Sequence, residues 1–162
     1  DGNTLPLLLA SPIEPRDILL SKIAGTLWRQ SDPMNLLMNI VLYSQLPGIM
    51  VIYINAYPPE TSGALTQIIT VMVYLAAILR IPLEMFMAAS IGQYIGLTTR
   101  GRSTAAASTI GLLVFYFVMV NAPRFIITSP AGDMLINVAL PLVLPVLVSA
   151  LVVWLSLRAL KD

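Results

Sequence analysis

Residues 64–98, ALTQIITVMVYLAAILRIPLEMFMAASIGQYIGLT, contain one basic and one acidic side chain, Arg80 and Glu84, four positions apart near the middle. How this stretch folds decides the topology of everything around it. A helix needs about 20 residues to cross a hydrocarbon core of roughly 30 Å, so the stretch is long for one crossing. Pro82 stands at its centre, where a proline removes a helix hydrogen bond. Two folds compete: one long helix kinked near Pro82, or two short helices meeting at Arg80-Ile81-Pro82. Charge arbitrates, because short cytoplasmic loops of membrane proteins carry the excess of Lys and Arg. A single crossing puts Arg16, Lys22, Arg29, Arg100, Arg102, Arg158 and Lys161 on one side and only Arg124 on the other. A double crossing moves Arg100, Arg102, Arg158 and Lys161 across and erases the bias. The single kinked helix is therefore the expectation.

Composition supports a membrane setting. The chain is 57% hydrophobic and only 10% charged, with a mean hydropathy of +0.85, too apolar for a water-soluble domain of 162 residues. The expected fold is all-α: a polytopic membrane helix bundle with an amphipathic cytoplasmic helical region at its N-terminal end. A formal charge of +1 points to neither a nucleic-acid partner nor an acidic substrate. Cysteine and histidine are both absent, which excludes disulfides, thiol chemistry, zinc sites of the usual ligands and histidine bases. No phosphate-binding G-x-x-x-x-G-K-[ST] and no G-x-S-x-G occur, and the eight acidic residues are dispersed. The residues thus give no support to an enzyme, and no cofactor or metal is expected in this chain.

Outward from the central stretch, TTRGRS at 98–103 forms a basic loop, residues 104–122 the next span, and 134–157 the last. Between these two, PRFIITSPAGD at 123–133 is apolar but too broken to cross and reads as a re-entrant or interfacial element. On the other side, residues 56–63 form a loop. Residues 34–56 are uncharged and long enough to span, and Pro47-Gly48 is expected to kink them. Ser31-Asp32-Pro33 starts that helix, a capping side chain followed by a proline suited to the first turn. The chain thus divides into a cytoplasmic part, 1–31, and a transmembrane part, 32–162, with four spans and both ends cytoplasmic. TLPLLLASPIEPRDILLSKIAG at 4–25 mixes charge, proline and leucine, and lies beside the bilayer as a short helix, a turn and a second helix from Pro15.

Arg80 and Glu84 share one helix face and can pair. Three readings stay open: a pair lining or gating a substrate route, a buried pair that fixes helix packing, or an interfacial corner if the stretch is two helices. Ala88, Gly92 and Gly96 follow at four-residue steps, and Ala107 with Gly111 repeats the pattern; small residues at this spacing let membrane helices approach closely. Gln93 and Tyr94 beside that stripe offer hydrogen bonds within the bundle or to a substrate. The eight methionines are scattered, as adaptable packing requires, and form no metal-conducting stripe.

Two stretches resemble the permeases of type-2 ATP-binding-cassette (ABC) exporters. That family's cytoplasmic coupling segment typically reads G-T-L-E-x-L-L-x-[ST]-P-[IV] followed by I-L-x-x-K. Gly2-Asn3-Thr4-Leu5, Leu8-Leu9, Ser11-Pro12-Ile13, Ile18-Leu19 and Lys22 match it, while Pro6 replaces the usual Glu. ASIGQYIGLTTRGRSTAAAS at 89–108 is similar to the family's small-residue helix end, polar loop and Ala-rich helix start. The resemblance implies the C-terminal portion of such a permease from the coupling segment onward, with two further spans upstream of Asp1 or on another polypeptide. It implies a separate ABC ATPase subunit that binds ATP and Mg, contacted through Leu5, Leu8, Leu9, Ser11, Pro12, Ile13, Glu14 and Arg16. It further implies a second permease copy or homologue, in a bacterial or archaeal inner or plasma membrane. A membrane scaffold subunit that transports nothing is the alternative from a different class.

Overall fold

The computed structural model describes residues 14–40, 43–44, 46–125, 132 and 134–160, and these contain helices and no strand. Helix α1 spans Pro15–Arg29, with Glu14 at its N-cap in extended conformation and Pro15 in its first turn. Asp17 sits in the first turn and Arg29 in the last, each favoured by the helix dipole there. Leu19 and Ile23, four apart, are its buried residues. Gln30 is the only residue between α1 and α2, Ser31–Ile40. Helix α3 is Leu46–Ala56. Pro47 and Gly48, expected to kink the span, are the second and third residues of that range, next to residue 45 outside the described part. The segment expected as a single span over 34–56 thus comprises α2 and α3, with residues 41, 42 and 45 outside the described part.

A one-turn helix α4, Pro59–Ser62, lies within the expected loop. Gly63 follows with φ of 51°, a backbone conformation that side chains with a Cβ rarely adopt. The chain then enters α5, Ala64–Thr98, one helix of 35 residues that continues through Pro82. Thr99 ends it in extended conformation. Helix α6 runs Arg102–Asn121, a 3₁₀ turn covers Ala122–Phe125, and residues 126–131 and 133, most of the expected re-entrant element, lie outside the described part. The chain continues with a widened helical turn at Leu135–Ala139 and α7, Leu140–Ala159. Pro141 lacks the N–H that the carbonyl of Asn137 would accept in a regular helix, which favours the wider winding just before it.

Helix α5 is the spine. It touches α1, α2, α3, α4, α6, the widened turn and α7, most extensively α7. Its contact seam repeats at steps of three and four residues: Ile69, Val73, Ala76, Arg80, Glu84, Met87, Ile91, Ile95. One apolar cluster, Tyr53, Ile69 and Val73, forms on the N-terminal half, with Tyr57, Met134 and Val138 against it. Another, Met87, Ile91, Ile95, Tyr116, Val120 and Val152, forms on the C-terminal half. The pair Arg80 and Glu84 falls between them.

Three helical stretches are long and apolar enough to cross a membrane: Gln67–Thr98, Arg102–Asn121 and Leu135–Ala159. Their outward faces carry Ile68, Leu75 and Leu79, Ile110, Val114 and Val118, and Val143, Leu147 and Leu151, all exposed. Apolar surface of this extent is stable against lipid and costly in water. The hydroxyls turned inward are satisfied within their own helices: Ser90 Oγ donates to Phe86 O at 2.8 Å, Ser149 Oγ to Pro145 O at 2.6 Å, and Ser156 Oγ to Val152 O at 2.8 Å.

Candidate functional site

The four-residue spacing of Arg80 and Glu84 places both side chains on the inner seam of α5, roughly 24 Å from its first residue at about 1.5 Å rise per residue. Arg80 Nε donates to Glu84 Oε1 at 2.6 Å. Tyr116, four turns along α6, donates its hydroxyl to the same Oε1 at 3.2 Å. Tyr116 is buried, and its ring packs edge-on against Phe117 at 5.3 Å between centroids. The site is therefore a triad on two helices, with the carboxylate accepting from a guanidinium and a phenol. The seam is not sealed there: the side chains of Arg80 and Glu84 are 21% and 15% exposed, whereas Ala76 and Met87 beside them are 1% and 0% exposed.

Tyr116 is the member that periodicity along one helix does not reveal. The signal for it is chemical, since a tyrosine hydroxyl inside an apolar span requires a hydrogen-bond partner.

Gln93 and Tyr94 lie about two and a half turns further along α5 and are not brought to the charged pair. Gln93 Nε2 donates to Thr26 Oγ1 at 3.4 Å, a long contact that joins α5 to α1; Thr26 Oγ1 in turn donates to Lys22 O at 2.9 Å. Tyr94 packs against the C-terminal-half cluster. A second polar bridge, absent from the sequence expectations, links α3 to the widened turn: Asn137 Nδ2 donates to Tyr53 OH at 3.0 Å. Tyr53 stacks with Tyr57 at 6.4 Å.

Of the small residues, Gly92 meets another helix. A Cβ there would stand 4.0 Å from Thr109 Cγ2, in ordinary contact. At Gly96 and Gly111 a Cβ would meet nothing within 4 Å. Ala88 is half-buried and Ala107 exposed.

The residues expected to contact a partner divide at the edge of the described part. Leu5, Leu8, Leu9, Ser11, Pro12 and Ile13 lie outside it. Glu14 and Arg16 lie within and are exposed. The Glu14 carbonyl accepts the N–H groups of Asp17 at 2.9 Å and Ile18 at 3.2 Å, which fixes the start of α1. Among the described residues no group of three His, Cys, Asp or Glu could hold a metal.

An all-α bundle with lipid-compatible faces and a charged pair at mid-span defines a helical membrane protein. The chain belongs to the family described as ABC-2 family transporter protein, whose sequence model matches residues 1–145. It is an integral, multi-pass membrane protein and a permease component of an ABC transporter. No curated protein and no solved structure matches it.

Proposed function

We propose that this permease works in an exporter and that ATP hydrolysis by a separate ABC ATPase subunit, which binds ATP and Mg, drives it. The ATPase docks on Leu5, Leu8, Leu9, Ser11, Pro12, Ile13, Glu14 and Arg16. A second permease copy or homologue completes the unit. Both chain ends face the cytoplasm of a bacterial or archaeal cell, and Arg80 with Glu84 lines or gates the translocation path.

One observation carries this reading: α1, which begins where the docking stretch ends, is packed onto the spine. Leu19 and Ile23 are buried at 3% and 1% exposure, and Thr26 is bonded to Gln93 of α5. A displacement of the docking stretch reaches α5 through a stiff helix, because close-packed apolar contacts transmit displacement instead of absorbing it. Pro12 and Pro15 limit the backbone freedom that would dissipate such a push.

The test is Leu8→Asp or Leu9→Asp in the complete transporter. Stimulation of ATPase activity by the permease is expected to fall to background while the chain still inserts into the membrane. Unchanged copurification with the ATPase subunit together with unchanged stimulation would overturn the proposal. A purified complex without any nucleotide-binding subunit would point instead to a scaffold.

A further inference from the structure

The seam of α5 is buried on both sides of Arg80 and Glu84 and partly exposed at the pair itself. Among the described residues Arg80 makes polar contact with Glu84 alone. A guanidinium carries five N–H donors, and one carboxylate occupies two of them at most. Among the described residues at least three donors therefore have no partner, near the middle of a membrane-length helix. No described side-chain nitrogen or oxygen is both buried and unpartnered, so the spare donors reach the accessible surface of this chain. Hydrocarbon offers them no acceptor, and leaving polar groups unsatisfied there is costly.

Charge narrows the occupant. Arg80 and Glu84 sum to zero, and Tyr116 OH is already engaged on Glu84 Oε1. A ligand with a bare negative charge would satisfy Arg80 but leave a net charge deep in the membrane beside a carboxylate; a bare cation would leave Arg80 unsatisfied. A zwitterionic group avoids both penalties by turning an anionic oxygen to Arg80 and its cationic end to Glu84. We infer that Arg80, Glu84 and Tyr116 form a mid-membrane binding site for the zwitterionic, electroneutral group of a transported molecule. The inference rests on reading the chain as a transport subunit and names the substrate class that its polar site accepts.

The complete transporter in lipid nanodiscs, without nucleotide, provides the test. Four octyl-chain probes differ only in their heads: phosphocholine, glucoside, sulfate and trimethylammonium. The phosphocholine probe is expected to raise the Tm by about 2–4 °C, a shift typical of modest ligand stabilisation, and the others by less. Preference should then follow the charge of the site. Glu84→Gln leaves a net positive site and should favour the sulfate, and Arg80→Gln leaves a net negative site and should favour trimethylammonium. The double variant, R80Q with E84Q, retains the side-chain volumes and should discriminate among none of the charged heads; it also guards against a single variant that fails to fold.

The same ranking of probes in all four proteins overturns the inference, as does a glucoside shift equal to that of phosphocholine in the unaltered protein. Because binding is read without ATP, these failures leave the ATPase-coupling proposal standing. Conversely, charge-dependent binding in a complex whose ATPase is not stimulated by the permease would remove coupling alone.

Discussion

The two apolar clusters along α5 differ in how they are closed. The C-terminal-half cluster draws on α5, α6 and α7, and Met87 and Val120 in it are fully sequestered. The N-terminal-half cluster joins α3, α5 and the widened turn, and is bridged by the bond from Asn137 to Tyr53 OH. Close packing allows few alternative arrangements, whereas a hydroxyl–amide bond and a turn already wound off the regular helix can be re-formed at small cost. On this packing the half beside α1 is expected to tolerate a loss of core volume less well than the half beyond the charged pair.

The sharpest way to break this contrast is to remove core volume from each half. Met87→Ala deletes a side chain that is 0% exposed, and should cost about 3 kcal/mol through lost transfer and an unfilled cavity. Val73→Ala, at 4% exposure, should cost only about 1.5 kcal/mol, partly because less volume is lost. Thermal unfolding of the two variants in one detergent checks the order. Equal losses, despite the smaller volume removed at Val73, would mean that the N-terminal half is packed at least as rigidly as the C-terminal half.

Next in size is the charged pair that separates the halves. Arg80→Gln or Glu84→Gln alone should destabilise by about 2 kcal/mol, since each strands a charge at mid-membrane depth. The double change should cost less than either single one. Tm values from the four proteins form a complete cycle, and strictly additive losses would show that the 2.6 Å contact contributes no coupling.

These residues also show what a sequence reveals and what it conceals. The all-α class follows from apolar content and from the small number of charges, and the continuous helix Ala64–Thr98 matches a stretch whose charge distribution favours one element over two. The contact between Arg80 and Glu84 follows from helical spacing alone. Tyr116, 32 residues from Glu84, and Thr26, 67 residues from Gln93, do not follow from it, because spacing along one helix says nothing about which helix comes alongside.

A smaller effect separates the two polar bridges. Tyr53→Phe removes the acceptor of Asn137, and Tyr116→Phe removes a donor to Glu84. Each should cost about 0.6 kcal/mol, the average of polar contacts measured between membrane helices. Tyr116→Phe should in addition alter the response of the site to charged ligands, because it leaves the Glu84 carboxylate with one partner fewer. Indistinguishable ligand responses after the two changes would place Tyr116 outside the site.

Substitutions at the glycines are expected to act in the opposite direction, as stabilisers, and they decide most about the assembly. Gly92→Ala would put a Cβ at 4.0 Å from Thr109 Cγ2, so helix propensity gains should be felt there without a clash. Gly96→Ala and Gly111→Ala meet nothing within 4 Å, and each should stabilise the chain by up to about 1 kcal/mol as a flexible residue is replaced in a helix interior. Enlargement discriminates further. Gly111→Leu on the exposed face of α6 is compatible with lipid and with this chain by itself, so its Tm in detergent should hardly change. If the same variant lowers the yield of the assembled transporter while Gly111→Ala does not, a second helix must approach that face closely, as small residues in membrane helices permit. Unimpaired assembly with leucine would assign the face to lipid and leave Gly92 as the packing position of the stripe.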